Sequence, residues 1–118
     1  MSKEIITEFA SRNEFLEVLK NNPGMIIVKF GATWCRPCKR IKPLVDDYFL
    51  NMPPNVLCCD IDVDESFDLF AYLKQKKMVK TVPAILCYKK GNISFAPDES
   101  VSSSNEADVR AFFSRCMK

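Results

Sequence analysis

Two segments, "MIIVKF" (25–30) and "NVLCCDID" (55–62), read as buried strands, and an amphipathic stretch lies between them. The first is nearly continuously apolar, as expected for a strand covered on both faces, the usual condition of a sheet with helices on either side. Ile41, Leu44, Val45, Tyr48 and Phe49 fall at i, i+3, i+4, i+7 and i+8 and mark the intervening helix. Pro43 lies inside that pattern and is expected to kink the helix; Pro53-Pro54 ends it.

The remaining elements follow the same logic. "EIITEF" (4–9) is rich in β-branched residues and reads as a first strand. Ser11 and Glu14 have capping-box spacing before the stripe Phe15, Leu16, Leu19, and Asn21-Asn22-Pro23-Gly24 stops that helix. Asp64 or Ser66 can cap a helix carrying Phe67, Phe70, Ala71 and Leu73. "VPAILCYKKGNISF" (82–95) reads as two strands joined by a turn at Lys89–Asn92, and Val109, Phe112, Phe113 and Cys116 mark a last helix. The order is β-α-β-α-β-α-β-β-α. Helices between the early strands imply parallel crossovers, and the hairpin adds antiparallel pairing. An α/β fold follows, a mixed sheet with helices on both faces, as one domain over residues 1–118 without internal repeats.

Charge and hydropathy narrow the partners. A formal net charge of +2 is too small to argue for nucleic acid or an anionic membrane, and no apolar run approaches the ~20 residues of a membrane helix. The N-terminal "MSKEIITEF" lacks the apolar stretch and cleavage site of a signal peptide, so a reducing, cytoplasmic setting is expected. Six cysteines in a short chain could suggest a disulfide scaffold. That reading needs an oxidising compartment and a small, loop-rich core, and the long apolar segments argue against it.

"ATWCRPCKRIKP" (32–43) carries the chemistry. Its two cysteines admit a metal half-site, a buried structural pair or a redox dithiol. Cys35 sits where a buried strand ends and a helix begins, and unpaired N–H groups there favour a thiolate. Arg36 adds a positive charge, Lys39 lies about one turn on, and Pro37 fits a first turn that needs no N–H. Cys38, one turn beyond, can close onto Cys35 as a disulfide, so one thiol is activated and a second can resolve a mixed disulfide. A metal would need two more ligands in a chain without histidine. Cys58 and Cys59 are adjacent in a strand and point to opposite faces, so they make no second half-site. An inert pair does not account for a corner loaded with positive charge. The redox reading prevails.

"WCRPCK", with Pro43 five residues past Cys38 and "TVP" (81–83) before a strand and a Lys-Gly turn, resembles the thioredoxin family over essentially the whole chain. The resemblance implies a central mixed sheet of five strands flanked by four helices, and a thiol–disulfide oxidoreductase that reduces protein disulfides in electron transport and cell redox homeostasis. It assigns attack on the substrate to Cys35 and resolution to Cys38. It makes Pro83 a cis-proline facing the cysteines, with Val82 offering backbone hydrogen bonds to an extended substrate. Trp34, beside the reactive thiol, is expected to shield it or to contact substrate. No cofactor is needed in the chain, and an NADPH-dependent flavoprotein thioredoxin reductase is the implied recycling partner.

Three departures stand out. Arg36-Pro37 replaces Gly-Pro, which with Lys29 in place of the family's buried aspartate bears on redox tuning. Asp60, in the neighbouring strand, is a partner for Lys29 by strand parity. The segment between Gly91 and the last helix is longer than in the family, and the glycine beside the substrate groove has no clear counterpart. Two other readings keep the fold: a disulfide oxidase or isomerase, and a partner-binding module with an idle dithiol. Intact W-C-R-P-C argues against the second.

Other features reduce to structure. "DIDVDES" (60–66) imitates a calcium loop, but Glu65 and Ala71 stand where glycine and glutamate are required. The "NIS" sequon (92–94) lacks an export context. Lys74, Lys76, Lys77 and Lys80 read as a solvated helix end, and Cys58, Cys59, Cys87 and Cys116 as packing residues.

Overall fold

The computed structural model describes residues 4–118. Strands β1 (Ile5–Ile6), β2 (Met25–Gly31), β3 (Val56–Asp62), β4 (Ala84–Lys89) and β5 (Glu99–Val101) form a sheet in the order β1-β3-β2-β4-β5. The β1–β3 and β2–β3 pairs are parallel, and the β2–β4 and β4–β5 pairs antiparallel. The described residues also form α1 (Arg12–Lys20), α2 (Arg36–Leu50), α3 (Phe67–Gln75) and α4 (Glu106–Cys116). This is the mixed five-stranded sheet with four helices that the sequence leads one to expect.

Why β2 is so apolar is now clear. It is paired along both edges, and its side chains alternate between two covered faces. Ile26, Val28 and Phe30 enter one core layer with Phe15, Leu19, Leu69 and Leu73 of α1 and α3. Ile27 enters the other, with Ile41, Val45 and Phe49 of α2 and Val109 and Phe112 of α4. Lys29 shares parity with Ile27 and so lies on the α2 side of the sheet.

Local chemistry corrects several expected boundaries. Glu14 N–H donates to Ser11 Oγ (3.4 Å), but the Glu14 carboxylate accepts from Ala10 N–H (3.2 Å), so the box closes one residue early. The first strand is short because Phe9 N–H turns away to donate to Ser66 Oγ at 2.9 Å. Ser66 therefore occupies the N-cap position of α3 without capping it through its side chain. Its hydroxyl instead satisfies a buried donor. Ser66→Ala should leave that N–H unpaired and lower stability by about 1–3 kcal/mol, measurable by urea denaturation.

The stripe expected on α3 is rotated. Leu69 and Leu73 are buried, whereas Phe67 is 68% exposed. Arg12 of α1 reaches across to Asp68, with Nη2 2.8 Å from Oδ1, and its guanidinium lies 4.3 Å from the centre of the Tyr72 ring. That grip turns residues 69 and 73 inward and holds the Asp68 carboxyl down at about 2.

The expected hairpin is also looser. β4 ends at Lys89, Gly91 turns the chain at φ +96°, and the next strand begins only at Glu99. Asn92 organises the intervening loop: its Nδ2 donates to Ala96 O (2.8 Å) and Asp98 Oδ2 (3.0 Å), and its Oδ1 accepts from Ser94 N–H (2.9 Å). Phe95 lies in this loop, its ring against Phe15 and Tyr72.

Candidate functional site

β2 delivers the chain to the start of α2 through Ala32, Thr33 and Trp34. Cys35 is the N-cap of α2, with extended backbone (φ −92°, ψ 104°). Its sulfur takes the role a capping oxygen has elsewhere: Cys38 N–H donates to Cys35 Sγ at 3.2 Å. Cys35 and Cys38 are joined as a disulfide, with their Cα atoms 5.4 Å apart. Both are buried at 4% exposure.

The electrostatics of this corner are one-sided. Pro37 stands in the first turn, where its missing N–H costs nothing, and that turn has no acidic residue. Arg36 and Lys39 are exposed beside the disulfide. Helix N–H groups and these cations both favour negative charge on the N-terminal sulfur.

Trp34 is 67% exposed, and its Nε1–H donates to Asp64 Oδ2 at 2.9 Å. Asp64 is in turn fixed, its N–H donating to Asp62 Oδ1 at 2.8 Å. The acidic run 60–66 therefore anchors the indole, a role that sequence reading missed. The available signal was its position: β2 and β3 are parallel, so the residues after β3 emerge at the same edge as the cysteines.

Behind the disulfide lies a cleft of about 340 Å³ whose lining includes Cys38, Gly31, Lys29 and Asp60. Lys29 is 4% exposed, and its Nζ lies 3.7 Å from Asp60 Oδ1, its cross-strand partner in register. A Cβ added at Gly31 would sit 3.6 Å from Cys38 Sγ and 4.0 Å from Lys29 Cε. The second sulfur and the lysine stem therefore both border Gly31 in this cleft.

The Val82–Pro83 peptide bond is cis, and Val82 belongs to the core cluster that contains Cys35 and Cys38. Pro83 O accepts from Ser102 Oγ at 3.4 Å. Cys58 and Cys59 fall into opposite core layers, and burial pushes the Cys59 thiol up, away from reactivity. Among the described residues no group of His, Cys, Asp and Glu is placed to hold a metal ion, and no helix is long and apolar enough to cross a membrane.

Comparison with known proteins agrees with this geometry. The family model described as Thioredoxin matches residues 6–115. Thioredoxin-2 of Saccharomyces cerevisiae is 32% identical over 87 residues, covering 74% of this chain and 79% of the yeast protein. Thioredoxin of Mus musculus is 41% identical over 86 residues, covering 69% and 73%. Among solved structures, Malassezia sympodialis thioredoxin superposes with a TM-score of 0.74 over 100% of this chain and 96% of its own, at 21% identity.

Proposed function

Because this chain belongs to the thioredoxin family and is a protein-disulfide reductase of the thiol–disulfide oxidoreductase type, we propose that Cys35 is its nucleophile and Cys38 its resolving thiol. In the reduced protein the Cys35 thiolate attacks one sulfur of a substrate disulfide. That bond breaks, a mixed disulfide forms, and the departing substrate sulfur takes up a proton. Cys38 then attacks the Cys35 sulfur, freeing the second substrate thiol and restoring the Cys35–Cys38 bond. The observation that carries this assignment is the N-cap position of Cys35, whose sulfur receives the Cys38 N–H.

Exposed Trp34 and the backbone of Val82 before cis Pro83 form the surface that receives an extended disulfide-bearing segment. Oxidised protein is recycled by an NADPH-dependent thioredoxin reductase, in a cytoplasmic electron-transport role, with residues 1–118 acting as one thioredoxin-like domain. Turbidimetric insulin reduction tests the reading, first with dithiothreitol and then with NADPH and a thioredoxin reductase. Turnover in both arms is expected; turnover with dithiothreitol alone would remove the reductase from the scheme.

Arg36 tunes the couple. A cation next to Cys35 stabilises its thiolate, hence the reduced form, and so makes the disulfide more oxidising. About 1.4 kcal/mol corresponds to ~30 mV for a two-electron couple, and an exposed charge contributes less. Arg36→Gly should therefore raise the Cys35 pKa and lower the reduction potential by less than ~30 mV. Thiolate absorbance against pH, and equilibration with glutathione, measure the two effects.

A further inference from the structure

Cys87 of β4 and Cys116 of the last turn of α4 are both buried, at 0% and 1% exposure, in the core layer between the sheet and α2 and α4. Three contacts set them side by side. Cys87 pairs across β4–β5 with Glu99. The Glu99 carboxylate receives Arg115 Nε at 2.8 Å, and Arg115 immediately precedes Cys116. Lys89, two residues past Cys87, donates from Nζ to Lys118 O at 3.2 Å.

Each thiol acts on the other's titration, bringing the Cys87 thiol down and holding the Cys116 thiol up. Cys58 shares this layer, but Ile27 stands between it and Cys87 in the sheet. Two strand spacings, about 10 Å, exceed the Cα separation a disulfide can span. Cys59 faces the opposite layer.

We propose that Cys87 and Cys116 are a second redox site, a dithiol that a peroxide converts into a disulfide tying α4 to β4. It is separate from Cys35 and Cys38, which belong to the other core cluster. Hydrogen peroxide is close to water in size, so a brief local opening of the last turn of α4 admits it. The Cys87 thiolate attacks one peroxide oxygen; the O–O bond breaks, hydroxide leaves and becomes water, and Cys87 becomes a sulfenic acid. The Cys116 sulfur then attacks the Cys87 sulfur, the S–O bond breaks, and hydroxide departs with the Cys116 proton as a second water. Two thiols are oxidised and one peroxide is reduced.

The test uses the full chain carrying Cys35→Ser and Cys38→Ser, so that its outcome is independent of the reductase reading. That protein is incubated with hydrogen peroxide, quenched, denatured, alkylated and digested with trypsin. The expected result is joint loss of two of the four remaining thiols and a linked peptide pair, 81–89 with 116–118, carrying Cys87 and Cys116. Dithiothreitol should restore both thiols. Full alkylation of Cys87 and Cys116, over-oxidation of either without a link, or a link to Cys58 or Cys59 would each overturn the proposal. The same linked pair is expected from the wild-type chain, which guards against an effect of the serine substitutions on folding.

Discussion

Cys35→Ser is expected to reduce insulin turnover to the uncatalysed background and to abolish covalent capture of substrate. Cys38→Ser should lose turnover as well, yet accumulate mixed disulfides. The asymmetry comes from position along α2. Cys35 is the N-cap, its sulfur at the positive end of the helix and within 3.2 Å of the Cys38 N–H. Cys38 is inside the first turn, where its backbone N–H is a donor to that sulfur, and it lines the cleft it shares with Lys29. Non-reducing electrophoresis after mixing each variant with a disulfide substrate separates the two phenotypes. Covalent adducts with the Cys35→Ser protein, or retained turnover by it, would reverse the roles.

Much of this site could be read from residue order, because thiol reactivity at a strand-to-helix corner is a local property. The spacing of Cys35 and Cys38, the proline in the first turn and the absence of a first-turn carboxylate all lie within a few residues. What escaped sequence reading depends on contacts between distant segments. Asp64 reads as a helix cap until the parallel register of β2 and β3 brings it to Trp34. Ser66 reads as a cap until the chain after β1 presents Phe9 N–H to it. The rotation of α3 depends on Arg12, 56 residues away from Asp68. Propensity and periodicity place an element; a partner far along the chain decides which face it buries and where it stops. The loop after Gly91 makes the same point locally: "NISF" has strand-like composition, but the Asn92 side chain uses its hydrogen bonds to fold the segment back on itself.

Lys29→Met should move the pH dependence of substrate release toward higher pH while changing the initial attack by Cys35 far less. A buried ammonium is costly unless a carboxylate meets it, and here Asp60 does so at 3.7 Å from the next strand. Asp60 is the more accessible partner, its side chain 31% exposed, so the charge on its side can still reach water. The lysine side, 5% exposed, is directed into the cleft shared with Cys38. A positive charge there favours the Cys38 thiolate over the thiol, which lowers the pH at which the resolving sulfur becomes nucleophilic. Removing the charge while keeping an unbranched side chain reverses that sign: the Cys38 pKa rises and release slows at neutral pH. If the release profile moves up by about one pH unit, release on its acidic limb should slow about tenfold, the equivalent of about 1.36 kcal/mol. Asp60→Asn is the complementary change, because it leaves the ammonium buried without its carboxylate. It should destabilise the fold, by less than the ~3–5 kcal/mol of a fully buried broken pair, since Asp60 is partly solvated. Single-turnover release from a preformed mixed disulfide, followed across neutral pH for wild type and Lys29→Met, distinguishes chemistry from architecture. Displaced profiles with unchanged attack rates place Lys29 in the resolving step; superimposable profiles confine it to holding β2 against β3.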